Sequence, residues 1–135
     1  SLGAIGIKAQ INKIPGATWR AALLKKDMPM LINRFGGWLD FPEYFFFWCY
    51  HGQNAVFNTM SYQNAKLDKI ITNARFAESK PLYDSAVKEM IQLAFVEVPR
   101  VPLFQPTMDV AMHKDVMGYQ YWFHLQPAYR QLYKA

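Results

Sequence analysis

The sequence has few of the features that would identify a function directly. It contains one cysteine, Cys49, so an internal disulfide framework is excluded. Its longest apolar run, residues 44–50, is far shorter than the ~20 residues that cross a bilayer. Glycine-rich nucleotide loops, HExxH and CxxC motifs are also missing. With 135 residues, the chain is predicted to be one globular unit that works through ordinary side chains.

Residues that usually carry catalysis or bind metals are dispersed. The histidines His51, His113 and His124 lie far apart, and no carboxylate stands at a metal-ligand spacing from them. Asp40 and Glu43 are three apart, which suits one helix face but does not make an acid–base pair across a cleft. We therefore predict no enzyme activity, no metal site and no cofactor.

Charge of one sign is not concentrated anywhere. The net charge is +5, yet the longest basic run is Lys25-Lys26. A surface that follows a nucleic-acid backbone needs a basic patch or stripe, so no nucleic-acid partner is predicted. Charged residues make up 19% and hydrophobic residues 52%, which excludes a disordered chain.

Aromatic residues are abundant, above all in the segment 36–51. Rings at this density either fill a core or line a cleft that receives a ligand. We predict that residues 45–50 anchor a helix in the core. Trp38 follows two glycines at a predicted strand end, where α/β folds place ligands, and it either faces such a cleft or joins the core.

The hydrophobic pattern predicts an α/β order. Residues 5–11 alternate as a half-buried strand, 17–26 read as a helix and 28–35 as a central strand, which together predict a β-α-β unit with a parallel pair. Pro42 is predicted to start a helix, Asn64 to cap the next one, and Ser79 to precede a third over residues 80–95. Further predictions are a loop over 52–61, strands at 101–105 and 110–112, an extended segment at 118–123 and a terminal helix at 127–133.

Six short motifs occur in one order along the chain. They are residues 6–14, Gly37-Trp38 with Asp40 and Pro42, Asn58 with residues 62–71, Leu82-Tyr83 through Met90, residues 99–104, and residues 116–119. In this order and at about this spacing they resemble the C-terminal part of the periplasmic solute-binding proteins of peptide and nickel ABC transporters, known as extracellular solute-binding protein family 5. The resemblance runs from Leu2 to the last residue.

This resemblance implies a fragment of a periplasmic-binding-protein-like type II fold, with a mixed sheet flanked by helices. Residues 1–98 would end the C-terminal lobe, and residues 99–135 would return toward an absent N-terminal lobe. It further implies a signal peptide upstream and a location in the periplasm, or at the cell surface as a lipoprotein of a Gram-positive bacterium. The implied partners are a small solute, foremost a di- or oligopeptide, and the ABC permease subunits, which recognise the closed lobes.

We predict that Trp38, Asp40, Phe41 and Arg34, near the predicted strand end, contact the ligand. In peptide-binding members an aspartate of this segment pairs with the ligand's α-ammonium, and Asp40 is the nearest match. Asp40 follows Trp38 by two positions instead of the family's three, so it either meets that ammonium or caps the helix that begins at Pro42. Arg34 either holds a ligand carboxylate or is a solvated charge.

A second interpretation keeps the chain independent of any transporter. In it, the chain is a stand-alone protein–protein interaction module that grips its partner with its aromatic surface. Under the transporter interpretation, the aromatic tail has lost its partner lobe, and we expect the isolated chain to fold the tail back, exchange it or dimerise through it. The tail residues meant are Tyr119, Tyr121, Trp122 and Phe123.

Overall fold

The chain is mixed α/β and mostly helical. The computed structural model describes residues 2–37, 39–122, 124 and 126–135. The helices are α1 (Gly16–Lys25), α2 (Pro42–Cys49), α3 (Ala65–Arg75) and α4 (Lys80–Glu97), and 3-10 turns span Leu2–Ile5 and Tyr129–Gln131. The strands β1 (Val116–Met117) and β2 (Tyr133–Lys134) pair antiparallel, with Val116 opposite Lys134 and Met117 opposite Tyr133.

Local sequence signals set most of the helix ends. The Asn64 side chain accepts hydrogen bonds from the backbone N–H groups of Lys66 (3.0 Å) and Leu67 (3.1 Å), which confirms the predicted cap of α3. Pro42 is the first residue of α2, where its missing N–H costs nothing. Ser79 precedes α4 as predicted, but its side chain makes no capping bond.

The core lies between α2, α3 and α4. Helix α3 contributes an apolar stripe that packs on both neighbours, and Met90 of α4 is completely buried. The buried residues of this core are Phe46, Cys49, Tyr50, Leu67, Ile70, Ile71, Ala74 and Met90. Phe45, Phe47 and Trp48 are half-buried against it, so the prediction that the aromatic run anchors a core helix is confirmed.

Four predicted strands do not form. Residues 2–5 make a 3-10 turn, and residues 7–15, 28–35 and 101–112 have neither helix nor strand structure, so the β-α-β unit and its parallel pair were wrong. The predicted terminal helix is reduced to the turn Tyr129–Gln131 followed by β2. An alternating sequence forms a strand only where another edge pairs with it, and in the part of the chain described here these segments find no such edge.

The extended segments leave much apolar surface uncovered. Ile11 is 84% exposed, Ile32 80% and Phe104 80%. The accessible surface of the chain is 10976 Å², whereas a compact monomer of its mass, 15.7 kDa, exposes about 7,300 Å². The helical core is therefore well formed, while the segments around it are not covered by the chain itself.

Candidate functional site

Contacts with α2, the following loop and α4 anchor the chain at both ends of the candidate segment, residues 34–41. The ring of Phe35 packs edge-on against Phe45 (5.3 Å between ring centroids) and Phe57 (5.9 Å). Just beyond the other end, the Glu43 carboxylate accepts a hydrogen bond of 2.5 Å from the hydroxyl of Tyr83 on α4. The segment between these anchors is thus fixed at its ends and open to solvent along most of its length.

Close backbone contacts shape the turn within this segment. A Cβ atom on Gly37 would lie 3.3 Å from the Leu39 carbonyl oxygen and 3.7 Å from the Tyr44 ring. A residue with a Cβ at this position would need the Leu39 carbonyl group to shift by a few tenths of an ångström, whereas its contact with the Tyr44 ring would be an ordinary one. Packing therefore favours glycine at position 37.

The side chain of Asp40 is exposed to solvent. It makes no hydrogen bond and no ion pair with any residue the structure describes. The capping residue of α2 is Phe41, with extended backbone (φ −128°, ψ 131°), and no side chain caps this helix. The interpretation of Asp40 as a helix cap was therefore wrong.

The other predicted contacts share this open stretch of chain. Phe41 is 53% exposed, although it is an aromatic residue at a helix start. Arg34 is also exposed; its backbone N–H donates to the Asn33 side chain (2.8 Å), and its guanidinium pairs with no carboxylate of the described chain. Trp38 lies outside the described residues. An unpaired cation and an unpaired anion within seven residues can hold the two ends of a zwitterion.

Asn58 organises the loop that follows α2, and sequence reasoning did not assign it this role. The side chain, 3% exposed, donates to the carbonyl oxygens of Tyr62 (2.7 Å) and His51 (3.3 Å) and accepts from the Tyr62 N–H (3.0 Å). An asparagine inside a polar loop gives only a weak signal, because most such residues stay solvated.

Arg100 was also missed, and it fastens the chain leaving α4 to the same loop. Its guanidinium donates to the Phe57 carbonyl oxygen (3.2 Å) and the Thr59 hydroxyl (3.3 Å), and it lies 5.9 Å from the ring centroids of Phe45 and Tyr50. A lone basic residue within the apolar stretch 98–104 was the available signal.

Burial raises the pKa of the neighbouring Cys49 thiol to about 11, although the Arg100 charge opposes the shift, so this thiol stays protonated and unreactive.

Groups of side chains suited to metal binding are not found in the described ranges: nowhere do three or more His, Cys, Asp or Glu residues converge. His51 lies 3.8 Å from Asp68, and His113 lies 3.3 Å from Asp115, each as an isolated pair.

The larger surface depression, about 530 Å³, lies beside the β1–β2 pair and away from residues 34–41. None of the helices in the described chain is both long and apolar enough to span a membrane.

Comparison with known proteins gives one informative relative. The chain is 27% identical over 124 residues to the probable D,D-dipeptide-binding periplasmic protein DdpA of Escherichia coli (strain K12), a match that covers 88% of this chain and 23% of the relative. The chain thus spans about a quarter of the length of that relative. No family model matches the sequence, and no solved structure matches it.

Proposed function

We propose that this chain forms part of an extracytoplasmic solute-binding protein that captures a dipeptide and delivers it to an ABC permease. The similarity to a periplasmic dipeptide-binding protein over most of the chain supports the class of function. The single structural observation that carries the ligand assignment is the unpaired, exposed carboxylate of Asp40, held in a segment anchored at both ends.

Asp40 would accept hydrogen bonds from the α-ammonium of the dipeptide. The Arg34 guanidinium would meet the opposite carboxylate, and Phe41 with Trp38 would cover the apolar part of the ligand. A carboxylate that is fixed in place and has no internal partner pays little to reorganise when a cation arrives. These contacts come from one wall only, and a second lobe would complete the cleft on closure.

The uncovered surface supports the idea that a further part of the protein packs on this chain; as part of the proposal, residues 1–98 would end one lobe and residues 99–135 would form the return segment. The chain exposes about 3,700 Å² more than a compact monomer of its mass, and residues with largely exposed apolar side chains lie on its extended segments and on α4. Unpaired extended segments are what a sheet leaves when its neighbouring strands belong to another part of the protein. A second lobe would cover part of this surface, and the periplasm is the proposed location.

A calorimetric titration of the longer protein that carries these residues tests the proposal. We expect saturable binding of D-alanyl-D-alanine or of an L,L-dipeptide, with the preferred stereoisomer showing which dipeptide class is bound. The N-acetylated dipeptide is the matched control, because it lacks the ammonium but keeps the rest of the ligand. Failure of every free dipeptide to bind, or equal binding of the acetylated form, would overturn the assignment.

The stand-alone interaction module has less support. That interpretation relied on the aromatic run as a surface, yet residues 45–50 are buried or half-buried in the core. The tail rings Tyr121, at 61%, and Trp122, at 40%, are exposed, but other exposed rings such as Phe76 and Phe95 lie elsewhere along the chain and outside the aromatic run.

A further inference from the structure

A second, smaller cavity lies between the C-terminal end of α1 and the loop that Asn58 organises. Its volume is about 170 Å³, and polar residues contribute to its lining, among them Lys26, Asn54, Ser61, Tyr62 and Gln63, although most of the lining surface belongs to their carbon atoms and to Gly52 and Ala55. Neither the candidate segment 34–41 nor the proposed dipeptide contacts take part in it.

Hydrogen bonds within the loop, and from the loop to α2, hold the walls of this cavity in place. The Asn58 side chain closes the loop on itself through its bonds to His51 and Tyr62. The Asn54 amide also donates to the Phe47 carbonyl oxygen, which ties the loop to α2. A cavity whose polar groups are already in position loses little entropy on binding a ligand.

Two lining residues adopt the left-handed conformation although neither is glycine. Lys26 has φ 55° and Ser61 has φ 51°, and only one other non-glycine residue of the described chain has positive φ. Lys26 is the C-cap of α1, where the left-handed conformation commonly ends a helix, whereas Ser61 adopts it within the loop. Here they turn the end of α1 and the loop so that both face the cavity.

Lys26 is the charged side chain of this cavity, and its charge is not neutralised. The Nζ atom donates to the Asn58 carbonyl oxygen at 2.7 Å, and the side chain is half-buried. Burial lowers the pKa of this ammonium. No carboxylate of the described chain lies within ion-pair distance of it, and the nearby Asp68 accepts from the Gly52 N–H and lies beside His51.

An ammonium group has three N–H donors, and the Asn58 carbonyl uses one of them. Withdrawing a cation from water without an anion is unfavourable, and an acceptor of opposite charge reverses that cost. The hydroxyl of Ser61 and the amide of Gln63 can donate to the same acceptor. One positive charge in a small volume suits a singly charged anion better than a phosphate dianion.

We propose that this cavity binds a small carboxylate, with Lys26 as the ion partner and the loop as its hydrogen-bonding wall. The proposal is independent of the dipeptide function, because it involves other residues and another part of the surface.

Titrating the 135-residue chain with sodium acetate, followed by amide NMR shifts, tests it. We expect saturable shifts at Gly52, Asn54 and Gln63 at millimolar acetate, and none with acetamide, the neutral analogue, or with sodium chloride at equal ionic strength. Lys26→Met should weaken acetate binding by about tenfold or more. Lys25→Met, which removes an exposed charge one residue earlier, should leave it unchanged.

A measurement on the unmodified chain keeps the test valid if Lys26→Met fails to fold. Bound acetate should raise the pKa of the Lys26 ammonium, followed by its Cε resonance, and leave that of Lys25 unaltered. Equal responses to acetate and acetamide, equal responses of the two lysines, or acetate binding that survives in folded Lys26→Met would overturn the proposal.

Discussion

The hydroxyl of Tyr83 donates a hydrogen bond to the carboxylate of Glu43 across 40 positions of sequence, at 2.5 Å. This bond joins the first turn of α4 to the first turn of α2, three residues after Asp40. Burial raises the pKa of the Tyr83 hydroxyl above its ordinary value, and the neighbouring Glu43 carboxylate raises it more. The phenol therefore stays protonated and remains the donor at any physiological pH. The position of the candidate segment thus depends on a side chain of α4, the core helix that lies farthest from the segment in the sequence.

Tyr83→Phe should destabilise the chain by about 1–2 kcal/mol, because it removes a charge-assisted hydrogen bond and leaves a half-buried carboxylate without its donor. Urea unfolding followed by circular dichroism measures the change. Tyr129→Phe is the matched control, since Tyr129 is 76% exposed. A double-mutant cycle with Glu43→Gln should give a coupling energy clearly above zero; additive effects would mean that the bond contributes nothing.

Asn58→Ala should cost about 2–4 kcal/mol, because it leaves the N–H and the carbonyl oxygen of half-buried Tyr62 without their partner, whereas the His51 carbonyl oxygen keeps its bond from the Asn54 N–H. The exposed Asn73 on α3 provides the comparison, and Asn73→Ala should change the free energy of unfolding by about 0.5 kcal/mol or less. Similar thermal midpoints for both variants would show that Asn58 does not organise the loop.

The stability of the chain should fall as the pH rises from about 9 to about 11. The thiol of Cys49 ionises at 9.0 in the unfolded state and only at about 11 when folded, so in this window the folded state binds more protons. The contribution of this group is complete below pH 9, and about 2–3 kcal/mol of it is lost by the top of the window.

Denaturant unfolding at a series of pH values, with Cys49→Ala as control, measures this effect. The variant should lose less stability than the parent between pH 8 and pH 11. Burial also raises the pKa values of Tyr50 and Tyr62, and these groups are present in both proteins. Because the Cys49 thiolate adds to the Tyr50 shift, the difference between the two profiles reports Cys49 together with its coupling to Tyr50. Parallel pH profiles would contradict the assignment to Cys49.

Asp40→Asn, introduced into the longer protein, should weaken binding of a free dipeptide by about 10- to 100-fold, because it removes the charge opposite the ammonium. Asp27→Asn removes an equally exposed carboxylate from another segment and should have no effect. Affinity is measured by calorimetry, and the N-acetylated dipeptide should bind both proteins equally weakly. An Asp40 variant with parental affinity would remove this residue from the site.

The isolated 135-residue chain should self-associate as its concentration rises, because its extended apolar segments are uncovered. Sedimentation velocity measures the assembly. Phe104→Lys should reduce it, since Phe104 is 80% exposed, whereas Thr107→Lys adds the same charge to a polar position nearby. A chain that stays monomeric over the whole concentration range would contradict this expectation.

The domain boundary near residue 98 remains a prediction.

Helices were predictable because their signals are local. Pro42, the Asn64 cap and the apolar stripe of α3 lie within a few residues of what they determine, and all agree with the structure. The strands were not predictable in the same way, because alternation describes one face of a segment and says nothing about where its pairing edge is. Residues 28–35 carry a strand-like sequence and have no strand to pair with in the described chain.

The sequence by itself determined the helical order, the aromatic composition of the core and the resemblance to solute-binding proteins, since each depends on residue type and spacing. Tertiary structure decided which polar groups have a hydrogen-bond or ion-pair partner within the chain. It showed that Glu43 is bonded to Tyr83, that Asp40 has no partner among the described residues and does not cap α2, and that Lys26 reaches Asn58 across 32 positions. These facts depend on contacts between distant segments, and only the folded backbone brings such segments together.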